Sequence, residues 1–185
     1  MERTKGFSLI EVLVALLLTT VGILGMVALQ GQSIRYTQDA INRNNAASLT
    51  NDLIEIMRQY PEEFWVGEFD ALENTTALFN ANGVLQPQAT ACPSDAYPQN
   101  LAGHLGCWVQ QMESILPGGG TDDVRARVRI CPSFTLSKGE IACANSAFEG
   151  SSMGIQLAWQ VNNGGECMDG DDDNTVCIYQ TRFEL

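Results

Sequence analysis

Between residues 7 and 29 the chain runs through 23 residues with a single charge among them, that of Glu11. A helix rising about 1.5 Å per residue over such a run crosses the roughly 30 Å hydrocarbon core of a bilayer. The run is therefore read as a membrane segment. A carboxylate carried to the centre of that core costs about 2.5 to 3.5 kcal/mol on insertion scales, so an acid inside a span generally has a partner and a task. Glu11 is the first candidate functional residue; the alternative is an interfacial position where its charge stays hydrated. Ahead of the run stand six residues, with Arg3 and Lys5 the basic ones. Such charges hold the amino end on the cytoplasmic side and send the chain beyond Leu29 outward.

A secretory signal would place a small-residue cleavage site after its apolar stretch and release a soluble product. Here the small residue, Gly6, comes before the stretch, and the run ends in Gln30-Gly31-Gln32-Ser33 without a compact Ala-x-Ala site. The span is expected to be retained.

The 185 residues leave room for one domain beside the span. A net charge of -12 with only ten Lys and Arg argues against a phosphate-backbone binder, so no nucleic-acid partner is expected. All six cysteines, Cys92, Cys107, Cys131, Cys143, Cys167 and Cys177, lie beyond the span. An even count in an exported domain reads as three disulfides, for which about fifteen pairings are possible. No pair has the close spacing of a zinc knuckle. Local pairing in chain order (Cys92 with Cys107, Cys131 with Cys143, Cys167 with Cys177) is the expectation among these alternatives.

No proline interrupts residues 7–59, so one helix of about 80 Å is predicted to run past the membrane until Pro61 stops it. Its outer half carries Ile34, Ile41, Leu49, Leu53, Ile56 and Tyr60 as an approximate apolar stripe, with Asp39, Arg43, Asp52 and Glu55 among the polar positions. Gly22, Gly25 and Gly31 weaken the helix locally, and Gly22 and Gly25 are candidates for a hinge. A turn of helix over 62–69, a long connection over 74–98 and a short helix over 105–116 come next, the last with Leu105, Trp108, Met112 and Ile115 on one face. The period then changes to two: Val124, Ala126, Val128 and Ile130 alternate with Arg125, Arg127 and Arg129. Two later runs, 155–161 and 178–185, alternate likewise. Three such runs predict a small antiparallel sheet with one face covered by the outer half of the helix, an α+β architecture.

Catalytic motifs are weak. His104 is the only histidine, which excludes a paired-histidine zinc site, and no Walker lysine motif occurs. Gly150-Ser151-Ser152-Met153-Gly154 fits the spelling of a nucleophile elbow, but that fold needs its histidine after the serine. A glycine-rich turn before a strand is the favoured reading, with His104 at a loop or helix start. No enzymatic activity and no cofactor are expected. Asp169, Asp171 and Asp173 alternate like the start of a calcium loop, but the required glycine and glutamate are replaced by Asn174 and Gln180. A solvated hairpin tip is preferred over a weak calcium site. The row Arg125, Arg127, Arg129 reads as the wet face of a strand, with docking of a neighbouring subunit the alternative. Asn74-Thr75-Thr76 has glycosylation spacing, read as coincidence.

The stretch from Lys5-Gly6-Phe7-Ser8-Leu9-Ile10-Glu11 through Val12-Leu13-Val14-Ala15-Leu16 resembles the class III signal of type IV pilins and pseudopilins. That resemblance implies cleavage by a prepilin peptidase between Gly6 and Phe7, N-methylation of Phe7, and pairing of Glu11 with the positive amino terminus of a neighbouring subunit during assembly. It also implies the pilin fold. Further similarity, through Gly22-Ile23-Leu24-Gly25-Met26 and, more loosely, Asn44-Asn45-Ala46-Ala47 and Asp52-Leu53-Ile54-Glu55-Ile56-Met57-Arg58, is to the type IV pilus modification protein PilV family of minor pilins. The implied organisation is a leader over 1–6, a transmembrane and assembly helix over 7–30, an outer helical half over 31–60 and a cystine-bearing domain over 61–185. The implied function is initiation of type IV pilus assembly and incorporation into the pilus, supporting twitching motility and surface attachment. Implied partners are other minor pilins, the major pilin, the prepilin peptidase and the inner-membrane assembly machinery. The location would be the bacterial inner membrane with a periplasmic domain, then the extracellular fibre. A minor pseudopilin of type II secretion and a membrane-anchored enzyme or calcium-binding module are the alternatives.

Overall fold

The computed structural model describes residues 6, 8–61, 83–85, 92, 97–131, 134–137, 140–143, 152–161, 167 and 175–184. The chain divides into two compact units, Met1–Gln38 and Asp39–Leu185. The expected turn over 62–69 and most of the connection over 74–98 lie outside the described residues.

Helix α1 spans Leu9–Gln59. It contains no proline, and Pro61 stands two residues after its end. In the first unit its side chains are exposed throughout. In the second unit it buries Ala46, Leu49, Leu53 and Met57, at spacings of three and four that keep them on one face. This is a correction to the predicted stripe, whose first members, Ile34 and Ile41, are 57% and 52% exposed. Asp39, expected among the polar positions, is buried and accepts a 3.0 Å bond from Arg43 Nε one turn on.

Helix α2 spans Leu101–Ile115, starting four residues before the predicted onset. Asn100 caps it: its side-chain oxygen accepts from the Gly103 N–H at 2.8 Å, satisfying one of the amides a helix start leaves open. Leu105, Trp108 and Met112 are buried as the pattern predicts, but Ile115 is exposed and Leu116, just past the helix end, fills the core instead. Trp108 Nε1 donates to the Leu49 carbonyl of α1 at 2.8 Å. The turn after α2 uses Gly118 at φ +72, where a Cβ would press on the Gln160 side chain.

The strand predicted across Val124 to Ile130 is half helix. Residues Asp122–Arg125 form the short α3, and only Arg129–Cys131 form strand β1. Val124 and Val128 are buried in both readings because a spacing of four suits a helical turn as well as a strand. Two local contacts accompany the turn: Arg125 N donates to Thr121 O at 3.0 Å, and Arg125 Nε donates to Glu113 of α2 at 2.9 Å. The arginine row is therefore not one wet strand face. Arg125 is paired, and Arg129 Nη1 donates to the Ile141 carbonyl at 2.8 Å.

Strands β2 (Phe134–Ser137) and β3 (Glu140–Cys143) form a two-stranded hairpin that the periodicity did not predict. Strands β4 (Ser152–Gln160) and β5 (Val176–Glu184) complete a three-stranded antiparallel sheet in the order β1-β4-β5. Gly83 stands beside β1 at φ +68, its carbonyl accepting from Ile130 N at 3.0 Å; a Cβ there would overlap the Ile130 carbonyl. Central β4 is buried on both faces, a correction to the expected single covered face. Ile155, Leu157 and Trp159 join the α1 and α2 side chains in one core. On the opposite face Gln156 is fully buried. Its Oε1 accepts from Ile141 N of β3 at 2.7 Å and from Gln180 Nε2 of β5 at 2.9 Å, while its Nε2 donates to Arg127 O at 2.7 Å. One amide thus ties the hairpin to the sheet. Gln156→Leu will destabilise the domain by about 1 to 3 kcal/mol, because it strands buried donors and acceptors. A urea titration of the full chain in detergent checks this.

The three disulfides are Cys92–Cys107, Cys131–Cys143 and Cys167–Cys177. Cys131–Cys143 fastens the end of β1 to the end of β3. Cys167–Cys177 fixes residue 167 to β5 beside Trp159, which faces Cys177 across the β4–β5 ladder.

Candidate functional site

The amino-terminal segment carries the site. Gly6 and Ser8 are exposed and non-helical, and α1 starts at Leu9. The Ser8 carbonyl accepts from Glu11 N at 3.0 Å and Val12 N at 3.4 Å, so the first hydrogen-bonded turn closes just beyond the sequence-predicted cleavage position. Phe7 itself, the residue predicted to be methylated, lies outside the described residues. Among the described residues nothing stands within 4 Å of where a Gly6 Cβ would be, so no contact among them requires glycine there.

Glu11 occupies the first turn of α1, where the unpaired amides and the positive end of the helix dipole favour a carboxylate. It is exposed, as are all the apolar side chains around it, from Leu9 to Leu29. The most apolar 18-residue window of α1 has a mean hydropathy of 2.6 and no buried residue, long and apolar enough to cross a membrane. The two threonine hydroxyls in the run are satisfied inside the helix: Thr19 Oγ1 donates to Leu16 O at 2.9 Å and Thr20 Oγ1 to Leu17 O at 2.8 Å. This suits a solvent without hydrogen-bonding groups. Gly22, Gly25 and Gly31 have open space at their Cβ positions.

The remaining sequence candidates scatter. His104 lies in the first turn of α2, buried, with its ring 5.6 Å from Tyr60 and 5.2 Å from Tyr97 and, among the described residues, no hydrogen-bond partner at Nε2. Of the nucleophile-elbow look-alike, Gly150 and Ser151 lie outside the described residues, and Ser152, Met153 and Gly154 open β4. Asp169, Asp171 and Asp173, the calcium candidates, and Asn74 lie outside them too. The sequence reading missed the buried Asp39, although its position four residues before Arg43 is the helical ion-pair spacing that signals such a contact. Arg43 in turn stands over the Trp159 ring at 5.6 Å, linking α1 to β4.

The family model for the prokaryotic N-terminal methylation motif matches residues 1–27. No curated protein and no solved structure matches the chain. The matched signal is of the prepilin type, which marks a type IV pilin-like or pseudopilin protein, implies processing by a prepilin peptidase and assembly, and fits membrane anchoring through α1.

Proposed function

We propose that the chain is a minor pilin of the PilV kind, a subunit that helps initiate type IV pilus assembly and enters the fibre, supporting twitching and attachment. The observation that carries this reading is the exposed apolar half of α1, headed by the methylation motif, with Glu11 as its only charge. An unpaired acid in lipid is costly, and a sister subunit's freed amino terminus offsets that cost. Cleavage after Gly6 supplies such an amine at Phe7. The globular domain is periplasmic before assembly, and its part is non-enzymatic: its three cystines and acidic surface select partners. The charge of -12 becomes -13 on loss of the leader, which removes Arg3, Lys5 and Glu2.

Deleting the gene and scoring filaments, twitching and protein secretion in parallel tests the proposal. Lost pili with normal secretion supports it; lost secretion with normal pili assigns the chain to a secretion pseudopilus instead. Glu11→Gln should leave the protein in the membrane and reduce its incorporation into sheared filaments by about 30-fold or more, since removing one partner of a buried charge pair costs about 2 to 5 kcal/mol. Quantitative immunoblotting of filament and membrane fractions reads that ratio, and wild-type incorporation would contradict the role given to Glu11.

A further inference from the structure

Every disulfide joins cysteines that are consecutive in the chain, over separations of 15, 12 and 10 residues. The intervals between pairs, Cys107 to Cys131 and Cys143 to Cys167, are each 24 residues. Each cysteine is therefore nearer to its native partner than to the competing neighbour. Because loop closure costs about 3/2 RT ln n, each native loop forms roughly two- to four-fold more often than a 24-residue loop in the unfolded chain.

Burial sets the timing. Cys131, Cys167 and Cys177 are no more than 6% exposed. Cys131 faces Gly154 across the β1–β4 ladder and Cys177 faces Trp159 across β4–β5. Once the sheet closes, an exchange reagent has no approach to these sulfurs. The geometry points to a maturation step: the reduced, unfolded domain is the substrate of a dithiol–disulfide exchange reaction, and the cysteine spacing sorts the pairs without an isomerase.

In each exchange a cysteine thiolate attacks one sulfur of the oxidant's disulfide, forming a mixed disulfide and releasing one oxidant thiol. The partner cysteine's thiolate then attacks the protein-side sulfur of that bond and releases the second oxidant thiol. Two protein thiols lose two electrons and two protons, and the oxidant disulfide is reduced to two thiols. The near partner meets each mixed disulfide roughly two- to four-fold more often than a neighbour 24 residues away. Cys92 and Cys107, both half-buried, form the pair that stays most open to exchange after folding.

The full chain, reduced in urea and kept in detergent, would be reoxidised with oxidised glutathione as the probe, in urea and after dilution, then alkylated and peptide-mapped. In urea each native single-disulfide species should exceed the Cys107–Cys131 and Cys143–Cys167 species by about two- to four-fold. After dilution, added protein disulfide isomerase should change the yield of the native three-disulfide form by less than about two-fold. Equal or inverted populations in urea, or a several-fold rise in yield with isomerase, would overturn the inference. Neither arm involves pilus assembly, so failure here leaves the proposed function untouched.

Discussion

Gly6→Val will leave the leader on the chain. A pocket built for a hydrogen side chain rejects added carbons at about 10- to 200-fold per methylene-sized change, so a valine is expected to slow prepilin cleavage by about 100-fold or more. The same substitution is not expected to unfold the protein, because among the described residues no atom stands within 4 Å of the added Cβ position. The effect therefore separates processing from folding. The variant accumulates in the membrane at its full mass, retains Arg3 and Lys5, presents no free amine near Glu11 and is absent from filaments. Gly6→Ala should process at an intermediate rate. Pulse-labelling with mass analysis of the membrane fraction measures both, and full processing of the valine variant would show that Gly6 does not define the cut.

Trp108→Ala will destabilise the domain by about 3 to 5 kcal/mol, the usual cost of removing a large buried aromatic. Trp108 is buried between α2 and α1, and its indole N–H is spent on the Leu49 carbonyl. Against a total stability of about 5 to 15 kcal/mol, such a loss brings the domain close to unfolding. A paired comparison probes the hydrogen bond, since phenylalanine keeps an aromatic ring at either site and, at 159, a face for Arg43. Trp159 is equally buried, but among the described residues its Nε1 has no hydrogen-bond partner. Trp108→Phe should therefore cost about 1 kcal/mol more than Trp159→Phe. Urea unfolding followed by circular dichroism gives both values, and equal losses would show that the bond to Leu49 contributes nothing net.

The long helix and the cleavage signal were legible because each is written locally. Absence of proline, one charge in the apolar run and a glycine before an aromatic need no knowledge of distant contacts. The parts that were misread depend on such contacts. Val124 to Ile130 alternates like a strand, yet Asp122 to Arg125 turn as a helix, with Arg125 reaching Glu113 twelve residues back. Gln156 looks like a solvent-facing strand residue until β3 and β5 converge on its amide. Ile34 and Ile41 continue a helical stripe in sequence, while burial begins further along at Ala46 among the apolar residues of α1. The β2–β3 hairpin had a signal in the sequence that went unread: Phe134-Thr135-Leu136 and Ile141 flank Lys138-Gly139, a dipeptide whose glycine is a turn signal. At the candidate site, Glu11 was visible as a charge in an apolar run, whereas Asp39 was not, because its burial is a tertiary fact.

The most direct test of the account is the amino terminus of the mature protein, read by intact-mass analysis and terminal sequencing from isolated membranes and filaments. The account predicts a chain that begins at N-methylated Phe7 and keeps all of α1. An uncut start at Met1, or a start beyond Leu29, would contradict it.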